Sequence, residues 1–131
     1  MPEPLSESAI VRAIIDELAA LGYEVLVVGQ RKARGSGTSV GYPDLSVRRQ
    51  GWPQGLALLL ETKTADGALS PEQADLHGRG WSFVPRSVYD ALLALWRTEC
   101  AMGEDGAAQK VQRRLRGMQI EQRVRGLGEG R

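Results

Sequence analysis

Asp44 and Glu61 stand at the rims of two runs that otherwise read as buried strand, "GYPDLSV" at 41–47 and "LLLETKT" at 58–64. Burying a carboxylate costs several kcal/mol unless positive charge or hydrogen bonds compensate it. If 44–48 and 56–63 pair as an antiparallel hairpin, Leu45 and Val47 share one face with Leu56, Leu58 and Leu60, which fixes the register. Asp44 and Glu61 then project from the opposite face. Their positions centre on a turn between Trp52 and Pro53, so the two side chains are directly opposed, with Cβ atoms about 5 Å apart. Like charges so placed repel unless a cation sits between them or one carboxyl keeps its proton. Lys63, two residues beyond Glu61 on the same face, could neutralise one of them, whereas a divalent ion would neutralise both. An oxygen donor set with no His or Cys nearby favours Mg²⁺ or Mn²⁺ over zinc, and the Thr62 carbonyl is a third candidate oxygen.

The same three side chains would also suit an ion-pair network without chemistry. Further residues bear on the choice. Gly41 permits a backbone conformation closed to other residues, and Pro43 pushes Tyr42 out of the helical region, so together they aim Asp44 from a defined bend. Glu7 extends the stripe of Ile10 and Ile14 toward the core side, although an acid is also favoured at a helix N-terminus for its own sake. Gln73 reads both as a site residue and as the partner in a capping box.

The elements that must position these groups follow from periodicity and punctuation. Ile10, Ile14, Leu18 and Leu21 predict a helix over 7–21, capped by Ser6 and stopped by Gly22. "YEVLVVG" at 23–29 predicts a Val-rich strand, and 30–42 a loop rich in Gly, Ser and basic residues. Two strands at 44–48 and 56–63 come next, joined by "RQGWPQG". Ser70, Pro71 and Gln73 open a short helix that Gly80 ends. "WSFVP" at 81–85 predicts a fourth strand, and Ser87 with Asp90 starts a helix running to about residue 98. The order is α-β-β-β-α-β-α. From residue 103 the composition turns to Gly, Gln and Arg, with a helix expected at about 107–125.

At 131 residues the chain suits one domain with a single core. No apolar run approaches the roughly 20 residues of a membrane span, and "MPEPLSES" lacks the organisation of a signal peptide, so a soluble, cytoplasmic protein is expected. Cys100 is the only cysteine and His77 the only histidine, which leaves no intrachain disulfide and no zinc cluster. Cys100 reads as a small apolar filler and His77 as helix surface. The three tryptophans, Trp52, Trp81 and Trp96, read as core or turn anchors. Net charge is +1, but from Lys110 onward seven basic residues face two acidic ones. Together with "RKAR" at 31–34, such clusters beside an active site would form a phosphate track.

On these residues the chain resembles the PD-(D/E)xK nuclease superfamily, and within it the VRR-NUC branch. The likeness runs from about residue 7 to 95 through "SESAIVRAIIDELAALGYEV", "GYPDLSV", "LLLETKT", "LSPEQ" and "GWSFVPRSVYDAL", in the family's order. It implies an α/β fold with a restriction-endonuclease-like core, a mixed central β-sheet flanked by helices. It also implies a nuclease domain at 1–102, followed by a basic Gly/Gln/Arg-rich appendage at 103–131, part helical and part disordered. By that similarity Asp44 and Glu61 would ligate Mg²⁺, with Mn²⁺ as substitute. Lys63 would orient or activate the attacking water, Gln73 would support the site, and Glu7 would be the first-helix acid.

Free-standing members look like Holliday-junction resolvases and tend to be homodimers. The expected activity is therefore metal-dependent endonucleolytic hydrolysis of DNA, plausibly branched, with Arg31, Lys32 and Arg34 meeting backbone phosphates. A non-catalytic nucleic-acid-binding module on the same fold is the alternative. An unrelated small-molecule α/β enzyme ranks last, because "GSG" at 35–37 leads into a strand rather than a helix.

Overall fold

The computed structural model describes residues 5–28 and 41–129. Among them are a three-strand antiparallel sheet and four helices, a mixed α/β architecture. The chain divides into two compact units, Met1–Ala91 and Leu92–Arg131.

The first unit begins with α1 (Glu7–Ala20), where Ser6 Oγ accepts the Ala9 N–H at 3.2 Å and Ile10, Ile14 and Leu18 form the buried stripe. Gly22 takes φ +94°, which lets the Tyr23 N–H reach back to the Leu18 carbonyl at 3.0 Å and ends the helix as a glycine cap does. Strand β1 (Glu24–Val27) follows, and α1 packs against it. Strands β2 (Leu45–Arg48) and β3 (Leu58–Leu60) complete the sheet in the order β1-β2-β3.

Leu45 pairs with Leu60 and Val47 with Leu58, all four buried on one face, which is the register the hydrophobic alternation predicts. A connection as long as 49–57 does not hold that register by itself. Arg48 does so: its guanidinium donates to the carbonyls of Leu56 at 2.8 Å, Pro53 at 3.3 Å and Trp52 at 3.4 Å. Trp52 is buried from the turn and meets Tyr23 edge-on, with ring centroids 6.1 Å apart.

The segment 81–85, expected as a fourth strand, contributes a single parallel bridge, Leu60 with Phe83. The Phe83 N–H donates to the Leu59 carbonyl at 3.0 Å, the Glu61 N–H to Phe83 at 2.9 Å and the Lys63 N–H to Pro85 at 3.1 Å. The fourth bond of that ladder would need an N–H from Pro85, which has none. Proline thus cuts the strand to a bridge while its carbonyl still anchors Lys63. Arg86 closes the next segment by donating to the carbonyls of Thr64 at 2.6 Å and Gly67 at 2.7 Å.

Helix α2 (Pro71–Gly78) starts with the predicted capping box: Ser70 Oγ accepts the Gln73 N–H at 3.1 Å, and Gln73 Oε1 accepts the Ser70 N–H at 2.8 Å. Helix α3 (Val88–Ala101) is entered with the Asp90 N–H on Ser87 Oγ at 3.1 Å, while the Asp90 carboxylate accepts the Arg86 N–H at 3.0 Å. The remainder of α3 from Leu92 and all of α4 (Asp105–Glu129) make up the second unit, whose buried side chains include Leu92, Leu95, Glu99, Ala108, Val111 and Leu115. The helix expected at about 107–125 therefore extends at both ends. Cys100 is exposed rather than a filler, and Trp81 is 55% exposed rather than an anchor. His77, on the surface of α2, places Nδ1 at 2.8 Å from the Ser82 carbonyl. None of the helices among the described residues is long and apolar enough to cross a membrane.

Gly41 joins the sheet to α2. Its φ is +82°, and a Cβ there would lie 2.6 Å from Glu72 Cβ and 2.8 Å from the Glu72 carbonyl carbon. Gly55 has the same φ but open space around it. We expect Gly55→Ala to cost about 1 kcal/mol of unfolding free energy through backbone strain alone. Gly41→Ala should cost at least about 1 kcal/mol more, because the neighbours are backbone and cannot give way. Urea unfolding of the two variants measures the difference, and equal losses would contradict the close approach.

Candidate metal centre

The bend at 41–44 delivers Asp44 to the end of the sheet with both its main chain and its side chain engaged. The Val28 N–H donates to the Asp44 carbonyl at 2.7 Å, continuing the β1–β2 pairing, and the Thr62 N–H donates to Asp44 Oδ2 at 3.0 Å. Extending the β2–β3 register by one pair sets Asp44 opposite Glu61, the opposition inferred from the sequence. Glu61 follows β3 directly, with its own N–H turned to Phe83 on the other side. Successive residues of an extended chain turn their N–H and C=O alternately left and right, so the Thr62 N–H and carbonyl both face the β2 side. That is the orientation the Thr62 carbonyl needs to serve as a further oxygen ligand.

Glu7 reaches the same point from the first turn of α1. One carboxylate oxygen from each of Glu7, Asp44 and Glu61 lies within 4.8 Å of the others. An octahedral cation with metal–oxygen bonds of about 2.1 Å sets opposite ligands roughly 4.2 Å and adjacent ones roughly 3.0 Å apart, so the three oxygens would have to draw closer to ligate one ion. The environments differ in a useful way: Glu7 is exposed, Asp44 half-buried and Glu61 only 2% exposed. Glu61 is engaged by its surroundings, yet its Oε2 and the Thr62 hydroxyl are buried oxygens without a hydrogen bond. The donor set is all oxygen, which is the chemistry of a hard divalent cation.

These acids line an open cleft of about 940 Å³ whose walls are α1, the end of β1 and the start of α2. Gln73 lines it too, so the capping-box glutamine and the site glutamine are one residue in one position. Lys63 is half-buried and does not line the cleft. It sits two residues past Glu61, on the same side of the extended chain. Arg31, Lys32 and Arg34 lie outside the described residues. Sequence reading missed Arg12, with Ser8 and Asp16, as part of the cleft wall. Their signal was available: positions 8, 12 and 16 form a second helical stripe on α1, beside the apolar one.

The chain matches no family model, no curated protein and no solved structure.

Mg²⁺ shared by these carboxylates should stabilise the wild type by about 2.7 kcal/mol at a hundredfold excess over Kd, relative to chelator. Glu61→Gln, which removes the charge of the most buried of the three groups, should lose most of that gain. Chemical denaturation in the two buffers gives both values. A variant that keeps the full Mg²⁺ stabilisation would contradict a shared cation at these side chains.

Proposed function

We propose that the chain is a divalent-metal-dependent endonuclease that hydrolyses DNA phosphodiester bonds, on a restriction-endonuclease-like core. The observation that carries this reading is the meeting of Glu7, Asp44 and Glu61 oxygens within 4.8 Å in an open cleft. The resemblance of 7–95 to the VRR-NUC branch, carried in part by the same residues, points the same way.

In this reading Asp44 and Glu61, with the Thr62 carbonyl, hold Mg²⁺ or Mn²⁺, and Glu7 completes the set from α1. When bound, the ion would supply Lewis-acid polarisation of a phosphate oxygen and a lowered pKa for a coordinated water. The protein's own groups do the positioning. The Thr62 N–H fixes one Asp44 oxygen and leaves the carboxylate aimed along the cleft. Lys63, tied through its backbone to Pro85, orients or activates the attacking water with its ammonium and stabilises the charge that develops. Arg12, on the cleft wall, offers a guanidinium to the phosphate flanking the cut. Gln73, fixed by the capping box, bounds the site opposite α1. In this reading the substrate is branched DNA and the enzyme a homodimer.

Purified protein should nick supercoiled plasmid in Mg²⁺ or Mn²⁺ and cut four-way or flap substrates in preference to linear duplex. Asp44→Ala and Lys63→Ala should each lower the single-turnover rate by at least about a hundredfold, the scale of losing a group that acts on the transition state. Undiminished cleavage by both variants would refute the assignment.

A further inference from the structure

We propose that α4 is a phosphate-binding helix that takes hold of the DNA backbone. This rests on the nuclease reading for the identity of the polyanion, and on the helix itself for the surface. Charge is distributed unevenly along the chain: residues 1–104 carry ten Lys and Arg against thirteen Asp and Glu, whereas 105–131 carry seven against three. The first segment is net negative and holds three convergent carboxylates, so the basic surplus of 105–131 adds long-range attraction for a polyanion.

Helix α4 has the shape for it. Ala108, Val111 and Leu115 are buried and form one stripe. At 100° per residue the direction opposite that stripe is held by Arg113, Ile120 and Val124, with Arg116 and Arg123 on one flank and Lys110 and Glu121 on the other, all exposed. From Arg113 to Arg123 the basic face runs about 15 Å along the axis, long enough to meet several backbone phosphates. Glu121, the only acidic residue between 106 and 128, pairs with Arg114 at 3.0 Å on a different side of the helix and so does not neutralise the outward arginines.

Gln109 lies on the same face, exposed, and its amide can donate to a phosphate oxygen. The helix has no aromatic residue, and among the described side chains its exposed apolar ones include Ile120 and Val124, 59% and 63% exposed. A helix that lies in a membrane surface is commonly anchored by Trp or Phe, and this one has neither. The partner that fits is therefore a nucleic-acid backbone.

The test is the salt dependence of duplex binding by the full chain, measured by fluorescence anisotropy in chelator so that no cleavage occurs. For wild type, log K should fall linearly with log salt. The triple variant Arg113→Gln/Arg116→Gln/Arg123→Gln should reduce the magnitude of that slope by roughly 2 to 3, at about 0.9 for each phosphate that the protein ceases to neutralise. The matching Lys triple should keep the wild-type slope, and circular dichroism should show the same helicity in all three proteins.

A slope change smaller than about 0.9, the share of a single phosphate, would overturn the proposal. So would an equal reduction in the Lys triple, or tighter Arg-dependent binding to phosphatidylserine vesicles than to duplex. Because binding is read without cleavage, an inactive protein with the expected slopes would fault the nuclease reading alone. An active protein whose slope ignores the three arginines would fault the phosphate-binding helix alone.

Discussion

Convergence of Glu7, Asp44 and Glu61 is the constraint around which the first unit is arranged, because three carboxyl groups meet there at the end of a sheet only if other interactions hold them. Their mutual repulsion opposes the fold, and the hydrogen bond from the Thr62 N–H to Asp44 offsets part of it by giving one oxygen a fixed donor. The burial of Leu45, Val47, Leu58 and Leu60 on the opposite face supplies the cohesion that keeps the two strand ends opposed. Register and chemistry are thus one feature: a slip of one residue would turn the acids to the leucine face and the leucines away from it.

Two arginines outside the cleft secure that register. Arg48 gathers the carbonyls of the 49–57 connection, and Arg86 gathers those that follow Lys63. Each satisfies main-chain acceptors that a loop would otherwise leave to solvent, and the planar fork of a guanidinium suits several carbonyls at once. Pro85 has a complementary role. By lacking an N–H it ends the pairing of 81–85 with the Glu61 segment, yet its carbonyl fixes the backbone at Lys63.

Much of this was legible in the sequence wherever a local rule spoke alone. The α1 stripe and Ser6 cap, the Ser70–Gln73 capping box and the opposition of Asp44 to Glu61 all follow from periods and offsets within a few residues. The shortening of the fourth strand was encoded by Pro85, but only pairing with a segment more than twenty residues earlier reveals which N–H is missing. The clamps of Arg48 and Arg86 were invisible for a similar reason, since charge runs beside turns read as surface until the carbonyls they meet are placed. Gly41 announced a special backbone; that its hydrogen faces Glu72 and Gln73, binding the Asp44 bend to α2, is a tertiary fact. Arg12 joins the cleft through the orientation of α1, which a helical wheel suggests and only packing decides.

If these carboxylates are kept together to share a doubly charged cation, anomalous scattering from crystals soaked in Mn²⁺ should show a manganese peak among the Glu7, Asp44 and Glu61 oxygens, abolished by Asp44→Asn. A map with manganese elsewhere or nowhere, while the three carboxylates keep their positions, would contradict a shared cation.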